Sequence, residues 1–339
     1  MAAPESTTAA ARARSVADAF LRRRDDARLV EAGFWLVALA VPIALPEHAA
    51  FGGQVLIMML FALSLDFVLG YAGVLTLGHA AYFGVGAYVS GLLSAKLGWH
   101  EPLSGLVAAG AVSAAFGALS GWLLLRYRDL TLLMLTLAVS TTLFELANTW
   151  SSLTGGYDGL MGIQIAPIFG VFEWDIAGVT GYGYVLAVLL LCFVALRRFT
   201  VSPFGQALRG IRENTLRMRA IGAPILGHLT LAYTIAAAVA GIAGGLFAQT
   251  NNFITMDVLS FERSAAVLTV LILGGTGRLY GALFGALVYM LAADWLAKLS
   301  PVYWEFGVGL LLVVIVLLCP DGLLGLYDRV RAAFGGRAR

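Results

Sequence analysis

The chain has little charge for its length. Asp, Glu, Lys and Arg together make up 12% of its 339 residues, whereas 60% of the residues are hydrophobic. A soluble domain carries roughly a quarter charged residues, so this composition excludes a conventional polar surface. Several uninterrupted apolar runs approach the ~20 residues that a helix needs to cross a bilayer. The sequence therefore predicts a polytopic membrane protein that is surrounded mainly by lipid.

Residues that carry catalysis, metal binding or disulfides are also scarce. The two cysteines, Cys192 and Cys319, lie in apolar runs and the four histidines are scattered, which indicates neither a disulfide framework nor a metal site. No GxxxxGK[ST] phosphate loop is present. Residues 275–277 begin like a dinucleotide fingerprint, but Tyr280 stands where the last glycine belongs. We therefore expect no enzyme, no metal, no cofactor in this chain and no nucleic-acid partner.

The apolar segments predict an all-α fold with about ten transmembrane or re-entrant helices. Their approximate bounds are 32–46, 52–70, 80–97, 103–126, 129–150, 181–198, 229–250, 264–277, 279–298 and 303–319. The first segment is short, and glycines interrupt the chain around 70–80 and 264–285.

The distribution of cations predicts the orientation. If residue 1 is cytoplasmic, the outer segments hold only three cations, Lys96, Arg263 and Lys298. Cytoplasmic segments of membrane proteins carry an excess of Lys and Arg. We therefore expect two cytoplasmic tails, 1–30 and 321–339, on either side of a membrane domain over residues 31–320.

One long polar segment, Thr200 to Gly227, interrupts the second half of the chain. Ser202 and Pro203 are typical of a helix start. An apolar stripe then recurs at helical spacing, through Phe204, Leu208, Ile211, Thr215, Met218 and Gly222, while four arginines lie off it. Such a cationic helix either lies on anionic headgroups, worth about 1 kcal/mol per Arg, or docks on a partner protein.

Two glycine clusters lie at corresponding positions on either side of this polar segment. The first comprises Gly70, Gly73, Gly78, Gly84 and Gly86, and the second comprises Gly274, Gly275, Gly277, Gly281 and Gly285. Paired glycine-interrupted spans point to an internal repeat with a central translocation site. The alternative is close packing of helices on small residues.

Four polar residues within the predicted spans are candidates for a solute path: Asp66, His79, Glu145 and Asn148. Ionisable groups in membrane segments are costly and usually face a cavity or a partner. The structural alternative is that they bond to broken backbone or to neighbouring helices, which we favour for His79. Asp66 remains open between the two roles.

Several motifs resemble the permeases of ABC importers for branched-chain amino acids, in the LivM-type branch. SPFGQALRGIRENTLRMRAIG is similar to their cytoplasmic coupling loop, and GYAGVLTLGHAAYFGVGAYVSGLL to their glycine-rich segment. LTGGYDGLMGI (153–163) resembles their outer-loop motif, and LGGTGRLYGALFGA their late glycine motif. Residues 216–218 depart from the Glu-Ala-Ala of the generic coupling loop, and Gly222 matches it. Arg278 and Ala282 depart from the usual Thr and Pro.

The resemblance implies a set of roles and partners. It implies that loop 199–228 contacts an ATPase through Phe204, Leu208, Arg209, Ile211, Arg212, Glu213, Asn214, Met218 and Gly222. It further implies a second, LivH-like permease, cytoplasmic ABC ATPases that bind the ATP, an extracytoplasmic solute-binding protein, and alternating access in a bacterial inner membrane. Urea, short amides and other small carboxylates stay open as solutes. An ion-coupled secondary transporter is the alternative from another class.

The outer loop has two interpretations. A tight turn is predicted beside aromatic residues that we expect to be exposed, and it comprises Gly155, Gly156, Asp158 and Gly159. We expect this run to contact the binding protein, since aromatic residues are common at interfaces. An aromatic belt at the bilayer surface is the alternative.

Overall fold

The computed structural model describes residues 33–42, 44–168, 170, 173–175, 177–318, 322 and 325. This part of the chain is helical apart from loops, turns and a single antiparallel β-bridge between Leu160 and Ile254. The predicted tails, 1–30 and 321–339, lie outside the described residues except for Gly322 and Gly325. The all-α prediction is confirmed for the described chain.

Thirteen helices of very different length make up the described structure. They are α1 (Gly33–Pro42), α2 (Ala49–Asp66), α3 (His79–Leu97), α4 (Pro102–Leu124), α5 (Asp129–Thr149), α6 (Ser151–Thr154), α7 (Val179–Val201), α8 (Pro203–Glu213), α9 (Thr215–Ala220), α10 (Ile225–Asn251), α11 (Phe261–Gly274), α12 (Leu279–Leu299) and α13 (Trp304–Leu318). A π-helical turn, Phe67–Ala72, extends α2.

Each predicted apolar segment overlaps one of these helices, but the helices are not equally able to cross a membrane. Six stretches are long and apolar enough: Pro46–Ala72, Pro102–Leu124, Asp129–Thr149, Val179–Val201, Ile225–Asn251 and Leu279–Leu299. Helices α1, α11 and α13 are shorter, with α11 covering 14 residues. The chain is therefore a multi-pass membrane protein with six candidate spans among the residues that the structure describes, while the count of ten and the orientation of the termini stay predictions.

Helix α2 is the centre of the bundle. Its span is 94% buried within the chain, and it contacts α7, α10, α11 and α12. A helix that is apolar on all sides can be surrounded by other helices, and Ser64 is the one polar side chain of α2 between Val55 and Leu65. Helix α5 is the opposite case, because only 22% of its span is buried.

Small residues let the central helices approach closely, as the packing interpretation of the glycine clusters expects. Helices α3 and α10 meet at Gly86 and Gly241, where a Cβ on Gly86 would lie 2.1 Å from the carbonyl oxygen of Gly241. Helices α11 and α12 meet in the same way, at Gly274 and Gly281. These glycines serve helix packing, and the internal repeat stays a prediction.

Candidate coupling and translocation sites

The polar segment folds into two helices, whereas the sequence predicted one. Helix α8 begins after Ser202, whose hydroxyl accepts a hydrogen bond from the Gly205 N–H, as expected for an N-cap. It ends at Glu213 because Asn214 is extended, with φ −156° and ψ 97°. The Asn214 side chain then caps α9 by accepting from the Arg217 N–H at 2.9 Å. Asn214 is thus a helix breaker and a cap within the loop.

The apolar stripe of the loop packs against the chain's own membrane domain. Leu208 and Ile211 are buried, and Phe204 and Met218 are half-buried. Helix α8 contacts α7, α10 and the π-helical turn 67–72. The Phe204 ring also stacks on His228, with 5.7 Å between the ring centroids. The apolar stripe therefore packs the loop against the helix bundle.

A second apolar pair points away from the chain. Leu216 is 77% exposed and Ile221 is 72% exposed, among the exposed arginines 217 and 219 of α9. Sequence reasoning missed this pair because it followed only the regular stripe. Leu216 and Ile221 could have been identified from the sequence, because apolar residues on the cationic side of an amphipathic loop have no packing role in the chain itself.

Arg212 makes a contact that its position off the stripe did not predict. Its guanidinium donates a hydrogen bond to the carbonyl oxygen of Gly70 in the π-helical turn. Its Cγ lies 2.8 Å from the place where a Cβ on Gly73 would stand. Arg209 lies over the ring of Tyr71 in the same turn, with 5.0 Å from Cζ to the ring centroid. The cationic side of α8 is thus joined to the interrupted end of the α2 span.

Asp66 is fully buried at the end of α2. Its Oδ1 accepts a hydrogen bond of 2.7 Å from the backbone N–H of Gly277, in the turn between α11 and α12. Its Oδ2 has no hydrogen-bond partner among the described residues. The sequence left Asp66 open between lining a solute path and bonding to interrupted backbone. Only the second role has a hydrogen-bond partner in the described structure, the Gly277 N–H.

The other candidate path residues lie in different surroundings. His79 is buried, with Nε2 2.8 Å from the Ser64 hydroxyl and its ring stacked on Phe61. Glu145 is exposed on α5, and Asn148 one turn further on is half-buried. The structure therefore separates two buried residues, Asp66 and His79, from two residues on the open face of α5.

The predicted outer loop is a glycine turn that backbone hydrogen bonds join to the rest of the chain. Gly155, Gly156 and Gly159 have φ values of 83°, 60° and 78°, which favour glycine. Backbone bonds of 2.9 and 3.1 Å join Leu160 to Ile254, beyond α10. Asp158 is exposed, and Tyr157 beside it is 75% exposed. The loop thus presents an aromatic and an acidic side chain on a fixed backbone.

Among the described residues, no group of three His, Cys, Asp or Glu side chains could hold a metal ion. The long apolar helices and the polar loop packed against them are those of a multi-pass membrane protein. Over residues 49–318 the chain matches the family described as "Branched-chain amino acid transport system / permease component", and it belongs to that family. The predicted LivM-type resemblance is confirmed.

The relatives include proteins named LivM and proteins named LivH. The chain is 29% identical over 322 residues to the high-affinity branched-chain amino acid transport system permease protein LivM of Salmonella typhimurium, which covers 86% of this chain and 74% of that protein. It is 28% identical to LivM of Escherichia coli K12 over 330 residues, covering 88% and 76%. It is 26% identical to LivH of Escherichia coli K12 over 289 residues, covering 78% and 90%. No solved structure matches the chain.

Proposed function

We propose that the chain is one of two permease subunits of an ABC importer for branched-chain amino acids in a bacterial inner membrane. It receives solute from a binding protein and passes it inward by ATP-driven alternating access. The names of the LivM and LivH relatives support the solute and the permease pair. The observation that supports coupling to an ATPase is a basic loop of two helices that packs against the bundle. An exposed apolar pair, Leu216 and Ile221, lies on the side of this loop that faces away from the bundle.

The ATPase docks on α9 rather than on the regular stripe. Leu208 and Ile211 are already buried within the chain, so they cannot also bury area against a partner. Leu216 and Ile221 are exposed, and burying such a side chain is worth about 1.5–3 kcal/mol. Exposed ion pairs contribute less, about 0–1 kcal/mol each. The arginines around the pair therefore serve mainly to orient the partner.

Co-purification of the ATPase tests this docking surface. Leu216→Ala and Ile221→Ala should each lower the amount of ATPase recovered with a tagged permease, at matched membrane abundance. Leu97→Ala is the matched control, because Leu97 is a similarly exposed leucine, at 73%, next to Lys96 in a segment that the charge distribution places outside. Full recovery of the ATPase with the Leu216→Ala, Ile221→Ala double variant would exclude α9 as the docking surface.

The solute path runs along the open face of α5. Met134, Ala138, Thr141 and Glu145 are exposed at steps of four, three and four residues, which places them on one side of the helix. Glu145 lies about one turn from the end of α5 (Asp129–Thr149), and ionisable residues within membrane segments usually face a cavity or a partner. We infer that the second permease covers this face and that Glu145 lines the path between the two subunits.

The ion-coupled alternative has less support. It needs a carboxylate that can exchange a cation with the solute path, and its candidates are Asp66 and Glu145. Asp66 is fully buried and its Oδ1 is held by the Gly277 N–H. Uptake that needs ATP and the ATPase subunits would support the importer, whereas uptake by this chain alone under an ion gradient would support the alternative.

A further inference from the structure

Two interrupted segments of the membrane domain touch each other at two glycines. A Cβ on Gly70 would lie 2.5 Å from the backbone nitrogen of Gly277, so only glycine permits this approach. Asp66 closes the contact, because its carboxylate accepts from the same nitrogen at 2.7 Å. Residues 66 and 277 are 211 positions apart in the chain. The turn 67–72 and the turn 275–278 are thus held together as one unit, which we call the glycine clasp.

Arg212 is the side chain of α8 that reaches both halves of the glycine clasp. Its Nη1 donates to the Gly70 carbonyl and lies 3.1 Å from the position that a Cβ on Gly277 would take. A guanidinium has five N–H donors in a planar fork, so it can hold a carbonyl while lying against a second backbone segment. Helix α8 is therefore joined to the clasp by a polar contact as well as by its apolar stripe.

The surroundings of the contact leave it room to move. A cavity of about 380 Å³ lies between Arg212, Arg209, Glu213 and the clasp glycines. The clasp consists of a π-helical turn and a turn with φ values of 99° and 80° at Gly275 and Gly277. Helix interruptions of this kind are where segments shift relative to one another.

We propose that Arg212 is the positioning residue that links movement of the coupling loop to the two interrupted membrane segments. When the ATPase displaces α8, Arg212 draws the glycine clasp with it, and the ends of the α2, α11 and α12 helices move together. This inference rests on the proposed function. It goes beyond docking, because it assigns the step that follows docking to one side chain and one backbone contact.

The ratio of solute transported to ATP hydrolysed tests the link. The complete complex is reconstituted in proteoliposomes with the binding protein, as wild type and with Arg212→Gln. We expect the variant to keep its ATPase subunits and to hydrolyse ATP, while transport per ATP falls roughly fivefold or more, the lower range of measured coupling effects. Arg212→Lys keeps one cationic donor and should recover part of the ratio.

Arg126→Gln is the control for loss of one cytoplasmic charge. Arg126 lies over the ring of Trp122 at 4.1 Å, outside the clasp. An unchanged ratio in Arg212→Gln would overturn the inference, even if transport and hydrolysis both fell, because a residue needed only for assembly lowers the two together. Absence of ATP-dependent transport in the wild-type complex would instead overturn the proposed function.

A pair of glycine variants tests the same link without removing Arg212. In Gly73→Ala the new Cβ would lie 2.8 Å from the Arg212 Cγ and displace that side chain. In Gly98→Ala nothing lies within 4 Å of the new Cβ. The two positions have similar backbone strain, with φ values of 71° and 64°. We expect Gly73→Ala to lower transport per ATP and Gly98→Ala to leave it unchanged. This comparison can be made even where the Arg212→Gln complex cannot be recovered. Equal transport per ATP in the two glycine variants would overturn the inference.

Discussion

Substitution of Asp66 separates its two possible roles. Asp66→Ala removes the acceptor from the N–H of the half-buried Gly277, and an unpaired donor costs about 1–3 kcal/mol where it is shielded from water. Asp66→Asn keeps an acceptor oxygen at the same place and removes only the charge. If Asp66 holds backbone, the Asn variant should transport like wild type and the Ala variant should not. If Asp66 serves the solute path by its charge, both variants should lose transport.

The assay combines uptake with thermal denaturation of the purified permease. We expect the Ala variant to insert in the membrane, to denature at a lower temperature and to lose uptake, while the Asn variant changes little in either measurement. Asp294→Asn is the control, because Asp294 forms an exposed ion pair with Lys298 at 2.6 Å, of a kind that contributes little. An Asn variant with normal thermal stability and no uptake would refute the role of Asp66 as a backbone acceptor.

Three further predictions concern other parts of the chain. Leu208→Ala should destabilise the permease itself by about 2–5 kcal/mol, because Leu208 is fully buried. Leu216→Ala should leave the denaturation temperature of the permease unchanged. Equal denaturation temperatures of the two variants would contradict the packing of the stripe. Glu145→Gln should lower uptake without changing complex assembly. Glu47→Gln, at another exposed carboxylate, should leave uptake unchanged. Normal uptake by the Glu145→Gln variant would remove Glu145 from the path. Replacing residues 155–159 by a Ser-rich linker should lower crosslinking to the binding protein, since it removes Tyr157, Asp158 and the glycine turn that presents them; unchanged crosslinking and transport would assign the exposed aromatics to the bilayer surface.

Local features of the structure were predictable from the sequence. The helix start at Ser202 follows from side-chain capping within three residues, and the burial of Leu208 and Ile211 follows from helical spacing. The structural role favoured for His79 agrees with its contacts to Ser64 and Phe61. Each of these depends on interactions that the residue types and their spacing already contain.

Long-range features were not predictable in the same way. The bond from Asp66 joins positions 211 apart, and the bond from Arg212 to Gly70 joins positions 142 apart. No periodic pattern encodes which turn meets which. The break at Asn214 was missed for another reason, because the apolar stripe continues across it to Met218 while the backbone does not. Helical spacing therefore found the face of α8 but overestimated the length of the helix.

Reconstituted transport tests the central claim most directly. The chain, its second permease, the ATPase subunits and the binding protein are placed in proteoliposomes, and uptake of labelled leucine is measured with and without ATP on the ATPase side. We predict uptake that requires ATP, the binding protein and the ATPase, and that falls when Leu216 of α9 and Ile221, which follows α9, are both replaced by alanine. Leucine uptake by this chain without ATPase subunits, driven by an ion gradient, would contradict it.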